Sequence, residues 1–165
     1  MKKSDLPDWD NSMKFLTILD TNVIVSAFLS RHNDSATVLL LDCLFKGTIT
    51  PVYNDEILNE YSTVLTRSKF KIAKEKIDAV LTEIKTKGIH SERVNSGETL
   101  ADAKDLVFYE VALSKEDSFL VTGNLKHFPR KPFVVSPAEM VEIIREMQIP
   151  KSGLLSEPDA RYGEK

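Results

Sequence analysis

Cysteine is nearly absent. Cys43 is the only one in 165 residues, so the chain forms no internal disulfide, which fits a reducing cytoplasm. It lies within "VLLLDCLF", where a thiol reads as a small buried hydrophobe rather than a reactive group. Long apolar runs are also missing. None approaches the ~18 residues that a membrane-spanning helix needs, so no membrane partner is expected. The opening "MKKSDLPDWDNSM" has two lysines with no apolar stretch behind them, and does not read as a signal peptide. Nor is there bulk positive charge: 22 Lys and Arg stand against 25 Asp and Glu, a net −3. That argues against coating nucleic acid by net charge and leaves room for a local basic patch. No G-x-G-x-x-G follows the first apolar run, which disfavours a dinucleotide-binding fold.

What is present suits one globular domain. Apolar residues make up 42% and charged residues 28%, and a chain of this length buries about two thirds of its unfolded surface. The expected organisation is a flexible arm over 1–13, a domain over 14–149 and a flexible tail over 150–165. "FLTIL" (15–19) is a continuous apolar strand of the kind a parallel sheet buries on both faces. A helix over about 35–46 follows, with Ser35 as N-cap and Gly47 just past its end. Its middle is apolar nearly all round, so it is expected to be buried. "TITPVY" (48–53) reads as a short strand near an edge because of its proline. Asn54 caps a helix over about 55–66.

"KFKIAKEKIDAVLTEIKTKG" is amphipathic, with Ile77, Val80, Leu81 and Ile84 on one stripe and Gly88 at its end. "IHSERV" is a candidate strand. A helix over about 102–114, strands "SFLVT" (118–122) and "FVVS" (133–136), and a helix opened by Pro137 complete the pattern. Strands alternating with helices imply an α/β fold with a mostly parallel central sheet covered on both faces. Ligands in such folds bind beyond the carboxyl ends of the strands. Asp20 and "TGN" (122–124) both stand at such ends.

Each acid has a plain structural reading. Asp20 suits a cap for the helical turn "NVIVSAFL". Asp102 and Asp105, three apart, suit an ordinary helix opening. Glu60 is three residues after Ile57 and four before Val64, so it borders the buried stripe. A carboxylate there needs a partner, and a lysine would serve. Taken together, the acids point further. Two carboxylates 4 Å apart repel by about 4 kcal/mol at an effective dielectric near 20, so a cluster of Asp20, Glu60 and Asp105 persists only if a proton or a cation neutralises it. Oxygen ligands without cysteine or a histidine pair suit Mg²⁺ or Mn²⁺ better than zinc. Carboxylate-held divalent ions commonly serve phosphoryl transfer.

Five segments, "ILDTNVIVSAFLS", "PVYNDEILNEYSTVLTRSKF", "DAKDLVFYEVAL", "FLVTGNLKHF" and "VVSPAEMVEII", occur in that order. Together they resemble the PIN-domain ribonucleases, in particular the VapC-like toxin components of bacterial toxin–antitoxin pairs, over about residues 15–147. The resemblance implies a three-layer α/β/α sandwich and metal-dependent endonucleolytic cleavage of RNA by a homodimer that an antitoxin restrains. It also implies Asp20, Glu60 and Asp105 as catalytic, metal-holding acids, with Asp102 an additional acid of the same turn. Thr21, Asn22 and Thr122 match polar positions around the site. Many members carry a fourth aspartate where this chain has Asn124, and some carry asparagine. An amide oxygen there still offers a ligand, with one negative charge fewer.

Charge is uneven along the chain. Lys126, His127, Arg130 and Lys131 follow "VTGN" and suit RNA phosphate contacts at the rim of the site. The basic stretch from Arg67 to Lys87 reads as a solvated helix face. Phe108, Tyr109 and Phe119 read as core. Two other function classes remain open: a PIN-like module that binds RNA or protein without cutting, and a phosphatase or receiver domain with Asp20 as nucleophile. The second lacks the acid two residues on that such domains use.

Overall fold

A computed structural model describes residues 15–148. The arm expected over 1–13 and the tail expected over 150–165 lie outside the described residues. Five strands run in the order of the chain: β1 (Phe15–Leu19), β2 (Ile49–Tyr53), β3 (Ile89–His90), β4 (Ser118–Val121) and β5 (Val134–Val135). They form one sheet in the spatial order β3-β2-β1-β4-β5, and every neighbouring pair is parallel. Six helices cover it: α1 (Thr21–Leu29), α2 (Ala36–Lys46), α3 (Asp55–Leu65), α4 (Lys74–Lys87), α5 (Ala103–Ser114) and α6 (Pro137–Gln148). This is the parallel sheet covered on both faces that the alternating pattern predicts, and the three-layer α/β/α sandwich that the resemblance implies.

Central strands show why they are central. Ile18, Val52, Leu120 and Val121 are wholly buried, because both faces of a parallel sheet are covered. Pro51 sits in register with Thr17 of β1, and β3 begins only opposite Val52. The proline therefore lies where β2 is still an edge, as a residue without an N–H requires.

The helix boundaries follow their caps. Ser35 Oγ accepts from Val38 N–H and Asn54 Oδ1 from Ile57 N–H. Gly47 ends α2 with φ +84°, a left-handed conformation that glycine adopts without Cβ strain. A reciprocal cap that the sequence reading overlooked starts α6: Ser136 N–H donates to Glu139 Oε1, and Glu139 N–H to Ser136 Oγ.

Several expectations change, among them the strand expected over 133–136, which is only Val134–Val135. Helix α2 buries only Leu40 and Leu44, and Phe45 is 40% exposed. A helix in an outer layer has one face toward the sheet, whatever its composition, and α2 packs chiefly on β2, α1 and α6. Cys43 is accordingly half-buried rather than buried. Burial, then Asp42, still pushes its thiol up, so the unreactive reading holds. The strand expected over "IHSERV" shrinks to Ile89–His90. The rest joins an irregular connection to α5. The lysine-rich face of α4 is solvated and carries the surface pair Lys74–Asp78, while Lys87 reaches the largely buried carboxylate of Glu83.

Candidate active site

The strand order reverses at β1. The chain steps from β1 to β2 and β3 on one side, then returns to β4 on the other. Such a reversal leaves a crevice beyond the carboxyl ends of the two strands that flank it. Asp20 follows the last residue of β1, and Thr122 follows the last of β4. Their side chains meet: Thr122 Oγ1 donates to Asp20 Oδ2 at 2.7 Å. The same hydroxyl accepts from Asn124 N–H at 3.0 Å. Asp20 is the N-cap of α1 by position, yet its carboxylate makes no capping hydrogen bond. The capping alternative therefore gives way, because the side chain is turned across the crevice instead.

The remaining acids approach the same edge. Asp105 lies in the first turn of α5, and its Oδ2 is 3.4 Å from His127 Nδ1. Asp102 caps that helix, accepting from Lys104 N–H at 2.9 Å, so its helix-opening reading stands while its charge remains close by. Glu60 is half-buried at the margin of the stripe formed by Ile57, Tyr61 and Val64. Among the described residues no lysine or arginine pairs with it. The next residue, Tyr61, is buried and donates its hydroxyl to the carbonyl of Leu19. That bond fastens α3 to the residue before Asp20 and so brings Glu60 to the crevice.

Electrostatics link these acids. Asp20 is 6% exposed, and burial pushes its carboxyl up to about 6, against the Thr122 hydrogen bond and with help from the Asp105 charge. Asp105 is pushed up by burial first, then by Asp102, with Glu60 adding to the effect and the His127 ring opposing it. Burial, then the charge on Asp20, pushes Tyr61 far up. Asp105 is thus the middle of a repelling series that has Asp20 on one side and Glu60 on the other.

A profile of the PIN domain matches residues 17–126, about two thirds of the chain. The chain belongs to the PIN-domain family. PIN domains are usually nucleases, so the family points to a hydrolase in general terms. No curated protein and no solved structure matches the chain. The matched span of this PIN domain takes in Asp20, Glu60, Asp102, Asp105 and Asn124, and stops at Lys126.

Among the described residues, no group of three or more His, Cys, Asp or Glu side chains forms a ready metal cage. The donors fit Mg²⁺ or Mn²⁺ all the same. Such ions keep several waters and take one or two carboxylates, and Asp20 and Asp105 supply two. A buried carboxyl pushed up toward neutral pH gains most from a cation. Beside it, Thr21 Oγ1 and Asn22 Oδ1 are buried without a hydrogen-bond partner. Asn22 Oδ1 faces Gly123, since a Cβ placed there would lie 3.8 Å from it. Asn124 itself is exposed and joins the site through its backbone.

The basic loop after β4 divides. His127 turns to Asp105, whereas Lys126, Arg130 and Lys131 line a separate recess of about 430 Å³ on an apolar floor that includes Phe128 and Val134. A second opening, about 470 Å³, runs between α3 and the start of α5, with Glu60, Asn59, Arg93 and Lys104 on its walls. Arg93 and its partner Glu110 escaped the sequence reading. Their signal was an acid inside the apolar run "VFYEVAL". Among the described residues no helix is long and apolar enough to cross a membrane.

Proposed function

We propose that this PIN domain is a Mg²⁺- or Mn²⁺-dependent endoribonuclease and the toxin of a toxin–antitoxin pair. The observation that carries the reading is the buried carboxyl of Asp20 at the crevice, held by Thr122 and repelled by Asp105. Asp20 and Asp105 are the two carboxylates for the ion, and Glu60 is the third catalytic acid. Asp102 is an additional acid at its flank, and Asn124, held there through its backbone N–H, would have to turn its side chain inward to add an amide oxygen. The Thr122 hydroxyl fixes which Asp20 oxygen remains open, and Thr21 and Asn22 are supporting polar residues beside it. When bound, the ion supplies charge for the phosphodiester in transition and acidifies water. Lys126, Arg130 and Lys131 hold RNA phosphates in the recess of the loop after β4, and His127 does so from beside Asp105. The antitoxin and the homodimer rest on the resemblance to VapC-like proteins, and the cytoplasmic setting on the near absence of cysteine.

Asp20→Asn and Asp105→Asn are each expected to abolish cleavage of a structured RNA while the fold is kept. EDTA silences the wild type and Mn²⁺ restores it. Unchanged cleavage by both variants in nuclease-free preparations refutes the assignment. The toxin role has its own readout: expression arrests growth unless a cognate small protein is co-expressed, and normal growth removes that role. Asn124 favours a second reading, a module that binds RNA without cutting it. Wild-type protein that binds RNA but leaves it intact with Mn²⁺ present decides for that reading.

A further inference from the structure

A guanidinium bridges the two helices that carry Glu60 and Asp105. Arg93 Nη1 is 3.0 Å from Glu56 Oε2 on α3. Its other edge grips Glu110 on α5, with Nε at 2.8 Å and Nη2 at 2.7 Å from Oε1. The second oxygen of Glu110 accepts from Ser96 N–H at 2.8 Å and Ser96 Oγ–H at 2.7 Å. The Glu110 carboxylate is 6% exposed, so this end is a fixed anchor. Burial pushes Glu110 up, but Ser96 and Arg93 outweigh it and hold the carboxyl below its ordinary range. Glu56, 58% exposed, is one helical turn before Glu60 and on the same side of α3.

We propose that Arg93 is a positioning residue: by tying Glu56 to Glu110 it holds two mutually repelling, acid-bearing helices at the spacing a divalent cation requires. The inference rests on the metal-dependent reading above. A phosphate-binding role suits Arg93 poorly, because both edges of its fork are already engaged by carboxylates. Lysine in its place keeps the charge but has no planar fork to serve two partners at once.

The test separates bracing from simple charge. Mn²⁺ binding to EDTA-stripped protein is titrated by electron paramagnetic resonance for wild type, Arg93→Lys and Arg93→Gln. Charge alone leaves Arg93→Lys unchanged and tightens Arg93→Gln, which has lost a repelling cation. The brace predicts the reverse: both bind Mn²⁺ more weakly, by about 10-fold, the usual scale for a residue that orients metal ligands. Spin labels at Asn59→Cys and Lys104→Cys, in a Cys43→Ser background, face each other across the cleft. Without metal, their separation widens in Arg93→Lys and in Glu56→Ala. Glu56→Ala, which leaves no acceptor for Arg93 Nη1, cuts only the exposed end and leaves the buried anchor intact, so it keeps the test valid if an Arg93 variant folds poorly. Unchanged label distances, or Mn²⁺ affinities that follow charge, overturn the brace. Wild-type protein that takes up no Mn²⁺ overturns the metal reading, while the label distances still decide the brace.

Discussion

Replacing Asp20 by asparagine should make the metal-free protein more stable while destroying its proposed activity. The substitution keeps the shape of the side chain, and an amide oxygen still accepts from Thr122. What disappears is a charge held 6% exposed beside Asp105. The carboxyl moves from an ordinary 3.8 in the unfolded chain to about 6 in the fold. Below 3.8 it is protonated in both states and costs nothing. Between 3.8 and about 6 the unfolded chain ionises freely while the fold resists, so wild-type stability falls through that window and levels off above it. The cost is about 3 kcal/mol at pH 8 and about 1 kcal/mol at pH 4.5. In EDTA at pH 8, Asp20→Asn should therefore melt about 5–10 °C higher than wild type, and the gap should shrink toward pH 4.5. Mn²⁺ at 100 times its Kd should return about 2.7 kcal/mol to the wild type and nothing to the variant. Calorimetry over a pH series measures all of this. A variant less stable than wild type at pH 8, or a gap that ignores pH, refutes the account of the site as a strained negative crevice.

Thr122→Val removes the donor to Asp20 and the acceptor for Asn124 N–H in one step, so urea unfolding should show a loss of about 1–3 kcal/mol, with RNA cleavage falling as well. Gly88→Ala puts a Cβ 2.3 Å from Ile84 O and 2.7 Å from Pro51 O, both backbone atoms. It should cost about 2–4 kcal/mol, and a variant as stable as wild type in thermal melts contradicts the packing described. Replacing Lys126, Arg130 and Lys131 together by serine should lower the slope of log RNA affinity against log salt by about 2; an unchanged slope places the RNA elsewhere.

Local signals carried most of the fold into view. The apolar run of β1, the caps at Ser35 and Asn54 and the glycine after α2 act within a few residues of where they stand, so the sequence shows them directly. The candidate acids could be named from the sequence because Asp20 follows an apolar strand, Asp105 opens a helix and Glu60 borders a helix's buried stripe. Whether Asp20 caps or faces the crevice was not legible. Thr122 decides it, and that hydrogen bond spans 102 positions. The same holds for Glu110: its partners Arg93 and Ser96 come from an irregular stretch with no periodicity to read. The depth of α2 was misjudged because composition reports how apolar a helix is and not how many neighbours the layer provides.

The sheet tapers. At either rim the described residues form a strand of only two, Ile89–His90 and Val134–Val135. A foreign chain seeking to extend the sheet would meet barely one rung of backbone ladder, too little to template fibrils or to seat an added strand. A partner of the described domain would therefore gain more from its helix and loop surfaces than from its sheet edges.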